Sequence, residues 1–73
     1  MLRMRIYFKN GRELSIIQGP YSYGGPQGLY EIMPSGEDDA ADLFDESDQG
    51  DTVLGYLTKQ KVIYYVRKIG LMK

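Results

Sequence analysis

Neither cysteine nor histidine occurs among the 73 residues. The first absence excludes disulfides, Cys-ligated zinc and thiol nucleophiles, and it leaves the compartment open while fitting the cytoplasm. The second removes the commonest general base and metal-ligating side chain, so imidazole-based triads and His-containing metal sites cannot be built. Long apolar runs are missing as well. Met1 to Phe8 interrupts its apolar residues with Arg3 and Arg5, no stretch approaches the roughly 20 residues that span a bilayer, and the first residues carry no export signal. These features predict a soluble cytoplasmic protein with no membrane association, no cofactor, no metal and no enzymatic activity. A chain this short has room for one domain, residues 1–73, whose net stability is roughly 3–5 kcal/mol.

A local absence is the most telling. Between Glu37 and Asp51 there is no lysine or arginine, yet eight of the ten carboxylates fall there: Glu37, Asp38, Asp39, Asp42, Asp45, Glu46, Asp48 and Asp51. That segment carries −8, while the rest of the chain sets nine cations against two carboxylates. The formal net charge of −1 hides this division. A dense patch of one sign steers encounters with an oppositely charged partner, so the partner implied is basic.

Leu2, Met4, Ile6 and Phe8 alternate with Arg3, Arg5, Tyr7 and Lys9, the period of a half-buried strand. Asn10-Gly11 signals a hairpin. A two-residue turn would set Phe8 opposite Glu13 and scramble the faces. A three-residue loop Lys9-Asn10-Gly11, with Gly11 left-handed in a bulge, instead pairs Ile6 with Leu14, Met4 with Ile16, Tyr7 with Glu13 and Arg5 with Ser15. From Gly19 to Gly28 glycines and two prolines predict a loop bearing Tyr21 and Tyr23. A short strand, Leu29 to Met33, follows and is stopped by Pro34.

Ser35 then suits the N-cap of a helix over residues 36 to 47, with acids in its first turn. Ala40, Leu43 and Phe44 form an apolar stripe, and Asp38, Asp42 and Asp45 stack on the other side at repulsive spacings. Gln49-Gly50-Asp51 ends this helix, and Thr52 to Leu57 reads as a strand. The last segment is two-faced. Val62 to Val66 is β-branched and aromatic; yet Thr58 suits an N-cap, Gly70 a C-cap, and Val62, Tyr65, Val66 and Ile69 a helical stripe. A hairpin would have to turn at Lys59-Gln60, which lacks glycine or asparagine, so helix is favoured. The expected fold is α+β: a small, mostly antiparallel sheet beginning with an N-terminal β-hairpin, an acidic helix in the middle and a C-terminal helix.

Several chemistries fail on spacing. Asp45 to Gly50 opens like an EF-hand loop, but position twelve falls on Tyr56 instead of a bidentate glutamate. Two-metal hydrolysis draws its carboxylates from several elements, not from one run. No GK[ST] follows the glycines, which excludes a P-loop.

Nucleic-acid mimicry fits better. Carboxylates at i and i+4 of a helix stand about 6 Å apart, of the order of neighbouring phosphates along one strand. The reading expected is therefore a non-enzymatic inhibitor or adaptor that occupies a basic DNA- or RNA-handling site on another protein, with Leu43 and Phe44 as apolar anchors and Tyr21 and Tyr23 as further contacts. The plain alternative is a solvated acidic segment that keeps the protein soluble. On amphipathic patterning alone, Leu43 and Phe44 read first as the helix's own core contacts.

Ala40-Ala41-Asp42-Leu43-Phe44 resembles the short peptide by which bacterial polymerases and repair proteins dock on the replicative sliding clamp. Ala40 stands where that peptide carries glutamine. The resemblance implies that Leu43 and Phe44 fill an apolar pocket while neighbouring acids face the clamp's basic channel. Small, polarised chains without catalytic residues also resemble, in type, proteins that phages and mobile elements direct against host machinery.

A second function stays open: a small nucleic-acid-binding protein using the basic hairpin (Arg3, Arg5, Lys9, Arg12) and the tyrosine loop, whose Tyr21, Tyr23 and Tyr30 would stack on bases, with the acidic segment as a solvating tail. Ordinary solvated faces account for the same cations, and tyrosines folded over a thin core for the same rings. A third use is a homodimer in which the basic hairpin of one subunit accepts the acidic helix of another.

Overall fold

The computed structural model describes residues 1–35 and 53–72. Four strands, β1 (Leu2–Tyr7), β2 (Glu13–Gln18), β3 (Tyr30–Pro34) and β4 (Leu54–Leu57), precede one helix, α1 (Lys59–Gly70). The sheet is antiparallel throughout, in the order β1-β2-β3-β4. The fold is therefore a small α+β arrangement with a C-terminal helix. The acidic helix expected over residues 36 to 47 lies outside the described residues; the C-terminal one is the single α-helix among them.

The first hairpin has the bulged turn that the side-chain pattern demands. Ile6 pairs with Leu14, Met4 with Ile16, Tyr7 with Glu13 and Arg5 with Ser15. Gly11 is left-handed at φ 88°, its N–H donates to Phe8 O at 3.0 Å, and Phe8 N–H donates to Arg12 O at 2.9 Å. The register follows because only this loop length keeps the apolar residues of both strands on one side.

Pro34 belongs to β3 instead of stopping it before its end, and pairs with Leu14. The ladder alternation explains why. Ser35 N–H donates to Glu13 O, so the backbone of Pro34 points away from β2. It points past the first residue of β4, which starts opposite Ile32. Among the described residues no ladder bond is lost to the missing N–H.

β4 carries one extra residue. Tyr30 pairs with Leu57 and Ile32 with Leu54, leaving Gly55 and Tyr56 opposite Glu31 as a bulge. Tyr56 takes a left-handed φ of 58° there, the one non-glycine residue to do so among those described.

The final segment is helical, because Thr58 is extended and its hydroxyl accepts the Lys61 N–H at 3.3 Å. Val62, Tyr65 and Ile69 are buried and Val66 half-buried, packing on Leu14, Ile16, Ile32 and Leu57 to make the core. Gly70 is not the left-handed cap expected from its position: it is the last helical residue, and the capping residue Leu71 is right-handed. The helix end is satisfied by its own chain, Leu71 N–H donating to Arg67 O and Met72 N–H to Ile69 O, both at 3.1 Å, and also from outside. Asn10 of the hairpin loop donates its amide to Ile69 O at 2.7 Å and Met72 O at 2.8 Å, and its Oδ1 accepts the Arg12 N–H at 3.0 Å.

This cap fixes the helix path. It starts at the end of β4 and finishes at the tip of the β1–β2 hairpin, where a Cβ added to Gly70 would meet the Phe8 ring at 3.7 Å. A diagonal path of this kind leaves the opposite corner of the same face open. Leu2 and Met4 lie there and stay 36% and 46% exposed.

Candidate functional site

The loop between β2 and β3 is tied at nearly every residue. The Ser22 hydroxyl accepts the Gly19 N–H at 2.9 Å and donates to Gly19 O at 3.1 Å. Gly25–Gln27 makes one turn of 3-10 helix, which Pro26 suits because its fixed φ is already helical. Left-handed Gly24 and Gly28 bracket that turn. Outward ties reach three strands. Gln18 Nε2 donates to Gly28 O at 2.7 Å, Tyr23 N–H to Glu31 Oε1 at 3.0 Å, and Tyr56 N–H to Tyr23 O at 3.1 Å.

The glycines are needed where the chain crosses itself. A Cβ on Gly25 would collide with Gly19 O and Ser22 Oγ, and one on Gly55 with Tyr23 Cβ. At Gly24 it would lie 2.8 Å from Tyr56 Cα, on a backbone already at φ 88°. Gly28 differs: its φ is 77°, yet nothing lies within 4 Å of the added carbon. Gly25→Ala is therefore expected to cost about 2–3 kcal/mol, an overpacking against backbone that cannot yield. Gly28→Ala costs only the left-handed strain, about 1 kcal/mol. Urea titration of both variants measures the difference, and equal losses would mean that the loop is not crossed as described.

This frame holds its tyrosines outward. Tyr21 is 98% exposed and Tyr23 60%, and Tyr56 on the β4 bulge is 61% exposed. Tyr23 and Tyr56, with Ser22, Gly24, Pro26 and Gln27, line an open recess of about 150 Å³. Bulges re-aim side chains, and here the bulge turns Tyr56 toward the loop. Rigid, exposed tyrosines give contact area at small entropic cost, the chemistry of a binding surface. Tyr30 does not join them. It is half-buried against the core, where the covering role proposed for all the tyrosines is realised by this one.

The other expected contacts, Glu37, Asp38, Asp39, Asp42, Leu43, Phe44, Asp45, Glu46, Asp48 and Asp51, lie outside the described residues. What the fold gives is their attachment. Residues 35–53 connect Pro34 to Leu54, the facing ends of two neighbouring antiparallel strands. The hairpin tip lies at that same end of the sheet, and the tyrosine loop at the other, about 20 Å away across six-residue strands.

The cations are dispersed. Arg3 and Arg5 lie along β1, Lys9 and Arg12 at the hairpin tip, Lys59 and Lys61 at the start of α1, Arg67 and Lys68 near its end. Lys61 and Lys68 both bring their ammonium groups over the Tyr64 ring, 5.4 and 5.9 Å from its centre. Arg5 pairs with Glu13 at 3.3 Å. Such exposed pairs contribute under about 1 kcal/mol each. Among the described residues no three carboxylates gather to hold a metal, and no helix is long and apolar enough to cross a membrane.

Two residues that matter here escape sequence reading. Tyr56 is marked only by Gly55, a glycine inside a strand pattern being a bulge signal. Asn10 was readable as a turn residue but not as a helix cap, because its acceptors lie 59 and 62 residues away. No family model, curated protein or solved structure matches the chain.

Proposed function

We propose that this chain is a non-enzymatic binding protein that offers its acidic segment to a basic, nucleic-acid-handling site on a partner protein, an inhibitor or adaptor acting as a nucleic-acid mimic. The observation that supports this is where the charge is attached. β3 and β4 pair directly, a connection that two to five residues normally close, yet nineteen residues, 35–53, are inserted there. They hold eight of the ten carboxylates. The sheet anchors both ends of an insertion whose length its own closure does not require. Long insertions within compact domains are usually functional or disordered, and eight carboxylates on one of them give a basic partner a concentrated target.

A partner's lysines and arginines would exchange condensed counterions for these carboxylates, so binding weakens steeply with salt. A sliding clamp or a nuclease offers a site of the required chemistry. Leu43 and Phe44 serve as apolar anchors.

The competing reading is direct binding of nucleic acid by the basic hairpin and the tyrosine loop together. Its cations divide: Lys9 and Arg12 sit at the hairpin tip, at the end of the sheet away from that loop, while Arg3, opposite Ile17, lies at the loop's own end.

The test is a triple variant in which Asp38, Asp42 and Asp45 become asparagine. A partner captured by the natural protein at low salt should release labelled DNA on adding that protein, and the variant should release at least about tenfold less at equal concentration, given about 1 kcal/mol per lost charge contact. Equal displacement by both forms removes the electrostatic reading. A shift of labelled DNA by the protein alone favours the competing one.

A further inference from the structure

The two edges of the sheet are treated differently. β4 is short, bulged and crossed by the tyrosine loop, whose Tyr23 carbonyl takes the Tyr56 N–H. β1 has six residues, no proline and a continuous register with β2. No strand pairs with its far side among the described residues. Since the Phe8 N–H bonds to Arg12 O, alternation turns the backbone groups of Ile6, Met4 and Leu2 toward β2. Those of Arg3, Arg5 and Tyr7 face outward. An open row of this kind is a template for another strand.

The side chains on this edge say which strand. On the helix side Leu2 and Met4 remain open because the diagonal helix leaves their corner uncovered. On the other side Arg3 and Arg5 stand two residues apart, both exposed, with Arg5 held by Glu13. A second copy of β1 is a poor occupant: both antiparallel registers that pair five residues of the strand and keep the apolar side chains on one side bring an arginine opposite an arginine, Arg3 with Arg5 or Arg5 with Arg5. Like charges directly opposite are destabilising. We propose that β1 receives, as a fifth strand, an extended segment of a partner protein in which two acidic residues alternate with apolar ones. Its carboxylates lie beside Arg3 and Arg5, its apolar side chains cover Leu2 and Met4, and its backbone bonds to Arg3, Arg5 and Tyr7. The arginines then serve both to exclude self-pairing and to select the partner.

This surface is built from residues 2–7 and uses no residue of the acidic segment, so either proposal stands if the other fails. The probe is the capped peptide Val-Glu-Val-Asp-Val, with two controls: Val-Lys-Val-Lys-Val, and the acidic peptide with every second amide N-methylated on its bonding edge. Amide exchange and chemical-shift titration of the full chain should show the acidic peptide protecting the Arg3, Arg5 and Tyr7 amides. It should bind at least about tenfold tighter than the lysine peptide, the effect of two cross-strand charge pairs changing sign. N-methylation should abolish binding. Arg3→Glu, at an exposed position, should reverse or level the preference between the peptides while the protein stays folded. Equal binding of both peptides, binding that survives N-methylation, or protection of these amides by self-association without peptide would each overturn the proposal. So would a single-stranded oligonucleotide that displaces the acidic peptide from Arg3 and Arg5.

Discussion

Leu14→Ala should leave the protein close to its unfolding midpoint at 25 °C. Leu14 is completely buried, paired with Ile6 on one side and Pro34 on the other, and belongs to the cluster that the helix covers. Removing such a side chain loses its transfer energy and leaves a cavity, about 3 kcal/mol in a site that cannot collapse. Against a total of roughly 3–5 kcal/mol for a domain this small, that is most of the stability. Met4→Ala removes an apolar residue of similar size from an exposed edge position and should cost well under about 1 kcal/mol. Chemical denaturation of the two variants checks this contrast. A Leu14→Ala protein with a near-natural midpoint would mean that the core lies elsewhere. The loss reaches function too, because the sheet anchors both the tyrosine loop and the two ends of the acidic segment.

Asn10→Ala is the second large effect, and it acts at a residue that looks peripheral. One side chain supplies two donors to the last carbonyls of α1 and one acceptor to the hairpin, at 2.7, 2.8 and 3.0 Å in a partly buried setting. Deleting it removes both amide bonds and the Arg12 N–H acceptor from a partly buried helix end that has no glycine cap of its own, where Ile69 O keeps only backbone donors such as the Met72 N–H. The expected loss is about 2 kcal/mol, or a fall in Tm of roughly 8–16 °C for a domain of this length. Asn10→Asp keeps the acceptor but replaces both donors with a carboxylate at the negative end of the helix dipole. Repulsion there raises the folded-state pKa of the introduced group. Its penalty is therefore present at neutral pH and fades as pH falls through that raised value. A protein carrying Asn10→Asp that is no less stable at pH 7 than the natural one would contradict the cap.

Much of the sheet is legible in the sequence. Alternation along Leu2 to Phe8, together with Asn10-Gly11, admits only one loop length that keeps both strands' apolar residues on the same face. The register of the first hairpin follows from that. The helix at the end was legible against its own β-branched composition, because Thr58 offers a cap and Val62, Tyr65 and Ile69 recur at helical spacing. Misreadings occurred where a local signal had a remote competitor. Gly70 carries the usual glycine stop signal, but the helix runs through it to right-handed Leu71, and Ile69 O takes both the Met72 N–H and the Asn10 amide. Pro34 looked like a strand stop, but its missing donor faces a place where β4 has not yet begun.

The candidate site divides in the same way. Tyr21 and Tyr23 stand out from composition alone, glycines and prolines around them denying any strand. That Tyr56 joins them while Tyr30 turns inward depends on the bulge in β4 and on the Tyr56–Tyr23 backbone bond. Both relations link residues more than twenty positions apart.

By itself the order of residues determined the class of fold, the first register, the helix face and the confinement of eight carboxylates to one stretch, since each is a matter of periodicity, turn chemistry or count within a short window. Only the tertiary structure decided which sheet edge carries no further strand among the described residues, which corner of the apolar face the helix leaves uncovered, and that the acidic insertion springs from the end opposite the tyrosines. Strand order sets the first and third, and the path of α1 across the sheet sets the second. Asn10 holds that path from the other end of the chain, through hydrogen bonds that no local pattern encodes.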